Sequence, residues 1–208
     1  MVDDGVRRTT HMLASVLLDY PERLDERLAA ATTALTALPD AIAAPFASFV
    51  RDAARMGERA LCEHYVATFD QRRRATLYLS FYTAGDTRQR GAAILAFNEA
   101  LTAAGMERAR NETSDFLPLV LELSALTDGE VAMRMLAAHR EGVETIRAAL
   151  KQFESPYTNV LDGLLATLPP LDREARNRVR ELIAYGPPAE LVGVGALPFP
   201  AFPKETIQ

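Results

Sequence analysis

Apolar side chains recur at intervals of three and four residues along almost the whole chain. Leu24, Leu28, Ala31 and Leu35 show this spacing, which brings side chains onto one face of an α-helix. Good helix formers dominate the composition, whereas valine and isoleucine are sparse and the alternating runs typical of strands are missing from the sequence. The chain is therefore predicted to fold as an all-α, single-domain helical bundle.

Proline and glycine mark the predicted ends of roughly eight to ten helices, because proline cannot continue a helix and glycine weakens one. One long helix is predicted from Asp128 to Phe153, where one apolar face persists over about 25 residues. Another helix is apolar on all sides and is predicted to be buried. It begins near Ser114, with Ser114 or Asp115 as its N-cap and Pro118 in its first turn. The predicted breaks are Pro21, Pro39, Pro45, Gly85, Gly105, the turn Thr127, Asp128 and Gly129, Pro156, Pro169 and Pro170.

The character of the chain changes after Tyr185, where proline and glycine become frequent. We therefore divide it into a helical domain over residues 1–185 and a Pro/Gly-rich apolar tail over residues 186–208. A solvated linker would be polar. The tail instead carries Leu191, Val192, Val194, Leu197, Phe199 and Phe202, so we expect it to pack on the domain or on a partner.

Charge and cysteine content limit the possible functions. The 208 residues have a formal net charge of -5, which argues against nucleic-acid binding and disfavours a DNA-binding regulator. Cys62 is the only cysteine, so the sequence suits a reducing compartment and predicts a cytoplasmic protein. No run of about 18 to 20 apolar residues is present to insert into a membrane.

The sequence supplies no catalytic set. Cys62 and His64 lie two residues apart, so on a helix they point in different directions. The three histidines, His11, His64 and His139, lack the spacing of metal ligands. Gly193, Val194 and Gly195 form a Gly-x-Gly match in the tail that does not lead into a helix. We predict no enzymatic activity, no metal and no cofactor.

The stretch from His64 to Glu122 mixes aromatic, basic and acidic residues within helical patterning. Residues 70–90 hold five arginines and two aspartates, a local excess of +3 in an acidic protein. One interpretation is a solvated face with internal ion pairs. The other is a recognition surface, because aromatic and arginine side chains are common binding hot spots.

Five short motifs occur together in this stretch, and together they resemble those of a known protein family. The motifs are Tyr65-x-x-x-Phe69 before Asp70, the basic turn Arg72-Arg73-Arg74, Leu77-Tyr78-Leu79, Gly85-Asp86-Thr87-Arg88 and Asp115-Phe116-Leu117-Pro118. With them, the chain from about Met12 to about Leu182 resembles the assembly chaperones of respiratory nitrate reductase, the NarJ-type members of the TorD-like family. Two family motifs match with departures. Thr68 stands where the family usually has leucine, and Phe116 replaces the histidine of a Glu-x-x-Asp-His loop matched by Glu112 and Asp115.

The resemblance implies a system-specific chaperone that turns over no substrate. Its expected partner is the apo catalytic α subunit of nitrate reductase, bound chiefly by its N-terminal peptide while molybdenum cofactor is inserted and the complex assembles. Proteins that deliver the cofactor are further candidate partners. The residues expected to bind the client peptide are Tyr65, Phe69, Arg72, Arg73, Arg74, Leu77, Tyr78, Tyr82, Asp86, Arg88, Arg90, Glu112, Asp115 and Glu122.

An alternative function remains open on the sequence. Five arginines, Arg72, Arg73, Arg74, Arg88 and Arg90, would form an anion pocket in a helical enzyme that binds a nucleotide or a molybdopterin dinucleotide. The sequence also leaves open whether the client groove lies beside Tyr65 or beside Asp115, whether the tail covers it, and whether two chains pair.

Overall fold

The computed structural model describes residues 2–103, 105, 112–127 and 130–188. Helices joined by turns and loops make up these ranges, which contain no β-strand, so the all-α prediction is confirmed. A π-helical turn, Val66–Asp70, and a 3₁₀ turn, Arg73–Ala75, lie between α4 and α5. The helices are α1 (Asp4–Leu18), α2 (Leu24–Leu35), α3 (Asp40–Met56), α4 (Glu58–Tyr65), α5 (Ser80–Ala84), α6 (Gln89–Ala103), α7 (Leu117–Leu126), α8 (Glu130–Ala138), α9 (Arg140–Gln152), α10 (Tyr157–Leu165) and α11 (Arg173–Tyr185).

Helix α7 packs along α1 and also contacts α8, while α10 packs against both α1 and α3. The all-round apolar sequence of α7 follows from this position, because Leu117, Leu121 and Leu123 are fully buried. Burying one such side chain contributes roughly 1.5 to 3 kcal/mol. Leu126, the last residue of α7, is 59% exposed. The predicted burial of this helix is confirmed.

A polar network crosses the buried face of α1. His11 Nδ1 lies 2.8 Å from Ser124 Oγ on α7, and His11 Nε2 lies 2.9 Å from Thr167 Oγ1 beyond α10. The Thr167 hydroxyl donates to the Leu164 carbonyl, so His11 Nε2 must be the donor to Thr167. Arg7 donates to both oxygens of Ser124, which leaves the Ser124 hydroxyl to donate to His11 Nδ1. Each polar side chain of this network has a partner.

The same network fixes the charge of His11. Burial, and secondly the positive charge of Arg7, lower its pKa from 6.5 to about 3. The imidazole is therefore neutral at physiological pH.

Two sequence predictions of helix boundaries are wrong, and so is the predicted number of helices. Pro45 lies inside α3 instead of ending it. The long helix expected from residue 128 to Phe153 is divided at His139 into α8 and α9. The described ranges contain eleven α-helices, whereas eight to ten were predicted. The predicted break at Asp128 and Gly129 lies outside the described residues, as does the tail from residue 189 onward.

The reasons for two of these differences are visible in the packing. An internal proline costs a helix roughly 3 kcal/mol, but α3 buries Phe46 and Phe49 almost completely, and this offsets the cost. At His139 the ring turns back and its Nδ1 lies 2.9 Å from the Met135 carbonyl. The ring also packs on Phe97, with centroids 4.7 Å apart. Tertiary packing thus overrides the local pattern at both positions.

The predicted N-cap of α7 is also wrong. The helix begins at Leu117 after an extended Phe116, and no side chain caps it. Ser114 donates instead to the Ile94 carbonyl, and the Asp115 carboxylate accepts from Ser80 and Thr113. Pro118 lies in the first turn, as predicted.

None of the helices in the described ranges combines the length and the apolar content that a membrane span requires.

Candidate functional site

The π-helical turn after α4 arranges one wall of a cleft. The turn closes with a hydrogen bond from the Gln71 amide to the Val66 carbonyl, 3.1 Å long, in the i to i+5 pattern. This wider turn brings Phe69 and the next residue, Asp70, to the cleft that Tyr65 also lines. Single π-helical turns occur frequently at functional sites, and this one carries the aromatic motif identified in the sequence.

An extended pairing arranges the opposite wall. Tyr78 and Phe116 form an isolated antiparallel bridge. The Leu79 amide donates to the Asp115 carbonyl over 2.9 Å, and the Leu117 amide donates to the Leu77 carbonyl over 2.8 Å. Two segments distant in the chain are thereby fixed side by side, and the rings of Tyr78 and Phe116 pack with centroids 5.4 Å apart.

The buried Asp115 stabilises this pairing through its side chain. It is fully buried, and its carboxylate accepts hydrogen bonds from the Ser80 amide, the Ser80 hydroxyl and the Thr113 hydroxyl. Its role in the fold is therefore to position Tyr78 and Phe116.

Between the two walls lies a cleft of about 250 Å³, which we call the acidic cleft. Its walls are mainly aromatic, and three carboxylates, Asp19, Asp70 and Glu112, open into it. Lysine, arginine and histidine are not among the described residues that line it. The lining residues are Asp19, Tyr20, Tyr65, Phe69, Asp70, Leu77, Tyr78, Glu112 and Phe116.

The carboxylates of the acidic cleft differ in how they are paired. Asp19 lies 3.9 Å from the Arg27 guanidinium, and Glu112 accepts a 2.6 Å hydrogen bond from the Tyr78 hydroxyl. The Asp70 carboxylate makes no hydrogen bond or ion pair within the described ranges, although the residue belongs to the π-helical turn. Partial burial, and secondly the charge of Glu112, raise the pKa of Asp70 above its ordinary value of 3.8. A cation entering the cleft would relieve this repulsion.

The phenols of the cleft stay protonated. Burial, the largest cause, raises the pKa values of Tyr65 and Tyr78 above 10. The Tyr65 hydroxyl donates to the Leu18 carbonyl at the end of α1, over 3.1 Å. The Tyr65 hydroxyl therefore ties its wall to α1, and the Tyr78 hydroxyl donates to Glu112.

A second cleft of about 230 Å³ adjoins the first and shares Phe69, Asp70 and Tyr78 with it. We call it the ion-pair cleft, because Asp86 pairs there with Arg73 and Arg90. The Arg90 guanidinium also lies 5.8 Å from the Tyr78 and Phe81 ring centroids. The remaining lining residue is Thr76. Together the two clefts form one composite groove with an acidic end and an end that contains paired charges.

The structure brings some of the sequence-predicted residues to this groove and places others elsewhere. Those that line it are Tyr65, Phe69, Leu77, Tyr78, Glu112, Arg73, Asp86 and Arg90. Those outside its lining are Arg72, Arg74, Tyr82, Arg88, Asp115 and Glu122. The groove therefore lies beside Tyr65, and Asp115 supports it from within.

Four of the five arginines, all except Arg88, contact partners at three different places. Arg72 lies over the Phe153 ring, 4.0 Å from its centroid. Arg74 donates to the Ile183 carbonyl of α11 over 3.3 Å, whereas Arg73 and Arg90 pair with Asp86. This dispersion does not favour the anion pocket of the alternative enzyme interpretation.

Sequence reasoning missed part of the groove. Asp19 and Tyr20, which directly follow α1, were not among the predicted binding residues, yet both line the acidic cleft. Asp70 was noted as the residue after the aromatic motif, and the position of a carboxylate directly after Phe69 was the available signal. The lining residues that the predicted client-binding set lacks are Asp19, Tyr20, Asp70, Thr76, Phe81 and Phe116.

Cys62 and the histidines take structural positions. Cys62 Sγ lies 3.8 Å from the Pro21 carbonyl, whereas His64 Nε2 lies 2.8 Å from Ser155 Oγ. The two side chains face different neighbours, as predicted. Across the part of the chain that the structure describes, no group of three or more His, Cys, Asp or Glu residues is arranged to hold a metal ion.

Known proteins with similar sequences cover most of this chain. It is 37% identical over 154 residues to the nitrate reductase-like protein NarX of Mycobacterium tuberculosis strain H37Rv, a match covering 74% of this chain and 23% of NarX. It thus spans about a quarter of the length of that relative. It is 30% identical over 167 residues to the probable nitrate reductase molybdenum cofactor assembly chaperone NarJ of Bacillus subtilis strain 168, covering 78% of this chain and 89% of that protein.

A third relative is the nitrate reductase molybdenum cofactor assembly chaperone NarJ of Escherichia coli strain K12. The identity is 28% over 158 residues, covering 74% of this chain and 67% of that protein. The sequence profile of the nitrate reductase delta subunit family matches residues 6–161, a range that contains every residue lining the composite groove. This chain belongs to the nitrate reductase delta subunit family.

Proposed function

We propose that this protein is an assembly chaperone of a respiratory nitrate reductase. It binds the N-terminal peptide of the apo catalytic α subunit in the composite groove and holds that subunit open while molybdenum cofactor is inserted. Family membership and the relatives named as assembly chaperones support this function. The observation that carries the binding site is the acidic cleft, where Asp70 has no partner within the described ranges and aromatic rings form the walls.

The chemistry of the groove favours a peptide with both apolar and basic side chains. An amphipathic helix can lay its apolar face against aromatic walls, which is a common mode of peptide recognition. A lysine or arginine of the peptide would meet Asp70 and Glu112 in the acidic cleft. Its charge would also lie near the rings of Tyr20 and Tyr78, where a cation gains from contact with the aromatic face.

The walls of the groove are preorganised, because hydrogen bonds hold both of them. Tyr65 is tied to α1, and Asp115 fixes the segment that carries Tyr78. Ordering therefore costs free energy mainly on the peptide side. Release requires that the mature subunit bind less well than the apo form, because only a difference in affinity can drive it.

Calorimetry with a synthetic peptide tests the proposal. The peptide comprises the first thirty or so residues of the nitrate reductase α subunit from the same genome. Asp70→Asn should weaken binding about tenfold, equal to roughly 1.4 kcal/mol, and added salt should reduce the difference between the variant and the wild type. Tyr78→Ala should weaken binding further, because it removes an aromatic wall and the partner of Glu112.

The matched control is Asp25→Asn, which removes the same charge from an exposed position in the first turn of α2. It should leave the affinity unchanged. Equal losses in Asp25→Asn and Asp70→Asn would show a general charge effect and remove the groove from the proposal. A wild-type protein that does not bind the peptide at all would overturn the proposed function.

A further inference from the structure

Tyr78 lies between the two ends of the composite groove and contacts charged groups on both sides. Its hydroxyl donates a 2.6 Å hydrogen bond to Glu112 in the acidic cleft. On the other side, the Arg90 guanidinium of the ion-pair cleft lies 5.8 Å from the Tyr78 ring centroid. One tyrosine side chain therefore separates the negative end from the arginines. This separation is on the order of 5 to 11 Å, or one to two turns of an α-helix.

The charges of the ion-pair cleft are incompletely compensated. Asp86 pairs with both Arg73 and Arg90, and two guanidinium groups offer more N–H donors than a single carboxylate can satisfy. The side chains of Arg73 and Asp86 are 78% and 43% exposed. Water and salt screen a pair of this kind, so it contributes little to stability. Both side chains are therefore available to a ligand that offers a second carboxylate.

The acidic cleft has the opposite charge. Asp70 and Glu112 line it, and its described lining residues include no lysine, arginine or histidine. Phe69 and Tyr78 line both clefts. Along the groove the protein thus presents negative charge, then aromatic surface, then arginines. A ligand that complements the whole groove carries a cation, an apolar face and an anion in the same order.

We propose that the client peptide carries a basic and an acidic side chain one to two helical turns apart, and that Asp86 occupies the place of the client carboxylate in the free protein. The inference rests on the proposed function and specifies which peptide the groove accepts. The basic side chain binds Asp70 and Glu112. The apolar side chains between the two charges contact Phe69 and Tyr78, and the acidic side chain displaces Asp86 from the arginines.

This arrangement discriminates against peptides that share only the apolar face. A uniformly basic helix would place a cation beside Arg73 and Arg90, whereas a uniformly acidic helix would meet Asp70 and Glu112. Like charges at either end reduce the affinity for the wrong peptide. The requirement for both charges at a fixed separation thus distinguishes the client from other amphipathic segments, which aromatic contact alone would accept.

Calorimetry with the α-subunit peptide tests the exchange of one carboxylate for another. Asp86→Asn frees Arg73 and Arg90, so this variant should bind the peptide about threefold more tightly, the size expected of one solvent-screened ion pair. Arg73→Gln should weaken binding by a similar factor. Added salt should reduce both changes, because they arise between exposed charges.

Variants of the peptide identify the partner of Arg73. Each aspartate and glutamate of the peptide is replaced singly by its amide, and each peptide is titrated into the wild type, Asp86→Asn and Arg73→Gln. At one acidic position the replacement should abolish both effects, so that the three proteins bind this peptide equally. A lysine or arginine about three to seven residues from that position, one to two turns away, should couple in the same way with Asp70→Asn.

The matched controls break an exposed ion pair on α3 that does not line the groove. Asp52→Asn and Arg55→Gln remove the two members of this pair, and the Arg55 side chain is 76% exposed, close to the value for Arg73. Both controls should leave the peptide affinity unchanged. Thermal unfolding of all four variants verifies that each of them is folded.

The outcomes separate the two proposals. If the wild type binds the peptide but Asp86→Asn binds it no more tightly, or if no acidic position couples with Arg73, the inference about the charge pattern is overturned and the proposed function stands. Equal gains in Asp86→Asn and Asp52→Asn would also overturn the inference, because they would reflect net charge alone. A wild-type protein that does not bind the peptide overturns both.

Discussion

The network around His11 and the acidic cleft around Asp70 differ in whether their ionisable side chains have hydrogen-bond partners inside the fold. His11 is fully buried, both of its ring nitrogens have partners, and it is neutral. Asp70 lies at the surface of a cleft, close to a second carboxylate and without a partner within the described ranges. In the first region the fold satisfies its polar groups internally. In the second it keeps a charge that a ligand can satisfy.

The difference shows how a structural cluster can be distinguished from a candidate site. Both regions shift a pKa, because both disfavour the charged form of a side chain. In the His11 network the neutral form completes a closed set of hydrogen bonds and stabilises the fold. At Asp70 the pKa is raised first by partial burial and secondly by the charge of Glu112, and no hydrogen bond within the described ranges compensates the carboxylate. A perturbed pKa alone therefore does not identify a site.

Acid should weaken the His11 network, and this is the largest effect we expect. For a base whose pKa is lowered by folding, the unfolded chain binds more protons at acid pH. The contribution is complete above pH 6.5 and falls as the pH drops toward about 3. The loss is roughly 1.4 kcal/mol per pH unit, or about 2 kcal/mol between pH 7 and pH 5.

Urea unfolding at pH 7 and pH 5 measures this loss in the wild type and in His11→Gln, which cannot titrate. The wild type should lose about 2 kcal/mol more than the variant over this interval. Parallel losses would mean that His11 is not neutral and buried as the structure has it.

Tight packing beside the network should make Gly163→Ala strongly destabilising. A Cβ atom on Gly163 of α10 would overlap the Phe46 ring of α3, and overpacking of this kind costs about 1 to 3 kcal/mol. Gly91→Ala on α6 is the control, because a Cβ atom there meets nothing within 4 Å. It should stabilise the protein by about 0.5 to 1 kcal/mol. Thermal unfolding of both variants gives the comparison, and destabilisation by Gly91→Ala would refute the packing argument.

Tyr65 and Tyr157, which pack together, allow a buried hydroxyl that has a hydrogen-bond partner to be compared with one that has none within the described residues. Tyr65 and Tyr157 have ring centroids 5.9 Å apart. The Tyr65 hydroxyl donates to the Leu18 carbonyl, so Tyr65→Phe should cost about 1 kcal/mol. The buried Tyr157 hydroxyl has no partner within the described residues, so Tyr157→Phe should be neutral or stabilising. Denaturant midpoints test this order, and a reversed order would contradict it.

Asp70→Asn should give the smallest effect on stability, in the stabilising direction. A carboxylate whose pKa is raised by folding disfavours the folded state above its unfolded pKa of 3.8. Removing the charge at pH 7 should therefore stabilise the protein, by less than about 1 kcal/mol because solvent screens the group. The gain should vanish at pH 3, where Asp70 is protonated in both states. A variant that is less stable than the wild type at pH 7 would show that Asp70 has a structural partner.

Much of the fold was predictable because it depends on local patterns. The spacing of apolar residues gave the all-α class, and the all-round apolar segment after Phe116 gave the buried helix α7. Boundaries were less predictable. Pro45 and His139 were assigned wrongly because the burial of Phe46 and the packing of His139 on Phe97 come from other elements.

The candidate site was only partly predictable for the same reason. Tyr65 and Phe69 belong to one local motif, and both line the acidic cleft. Asp19 and Glu112 are separated by most of a hundred residues, and no local spacing relates them. Arg72, Arg73 and Arg74 are adjacent in sequence, yet they contact an aromatic ring, a carboxylate and a backbone carbonyl.

The sequence by itself determined the helical class, the burial of helix α7, the family resemblance and the aromatic motif, because these depend on periodicity and on residues close together in the chain. Tertiary structure alone decided which charges meet. The π-helical turn places Asp70 at the acidic cleft. The pairing of Tyr78 with Phe116 brings Glu112 to the same cleft. Contacts between distant segments depend on how helices pack and on their register, and helical periodicity does not encode either of these.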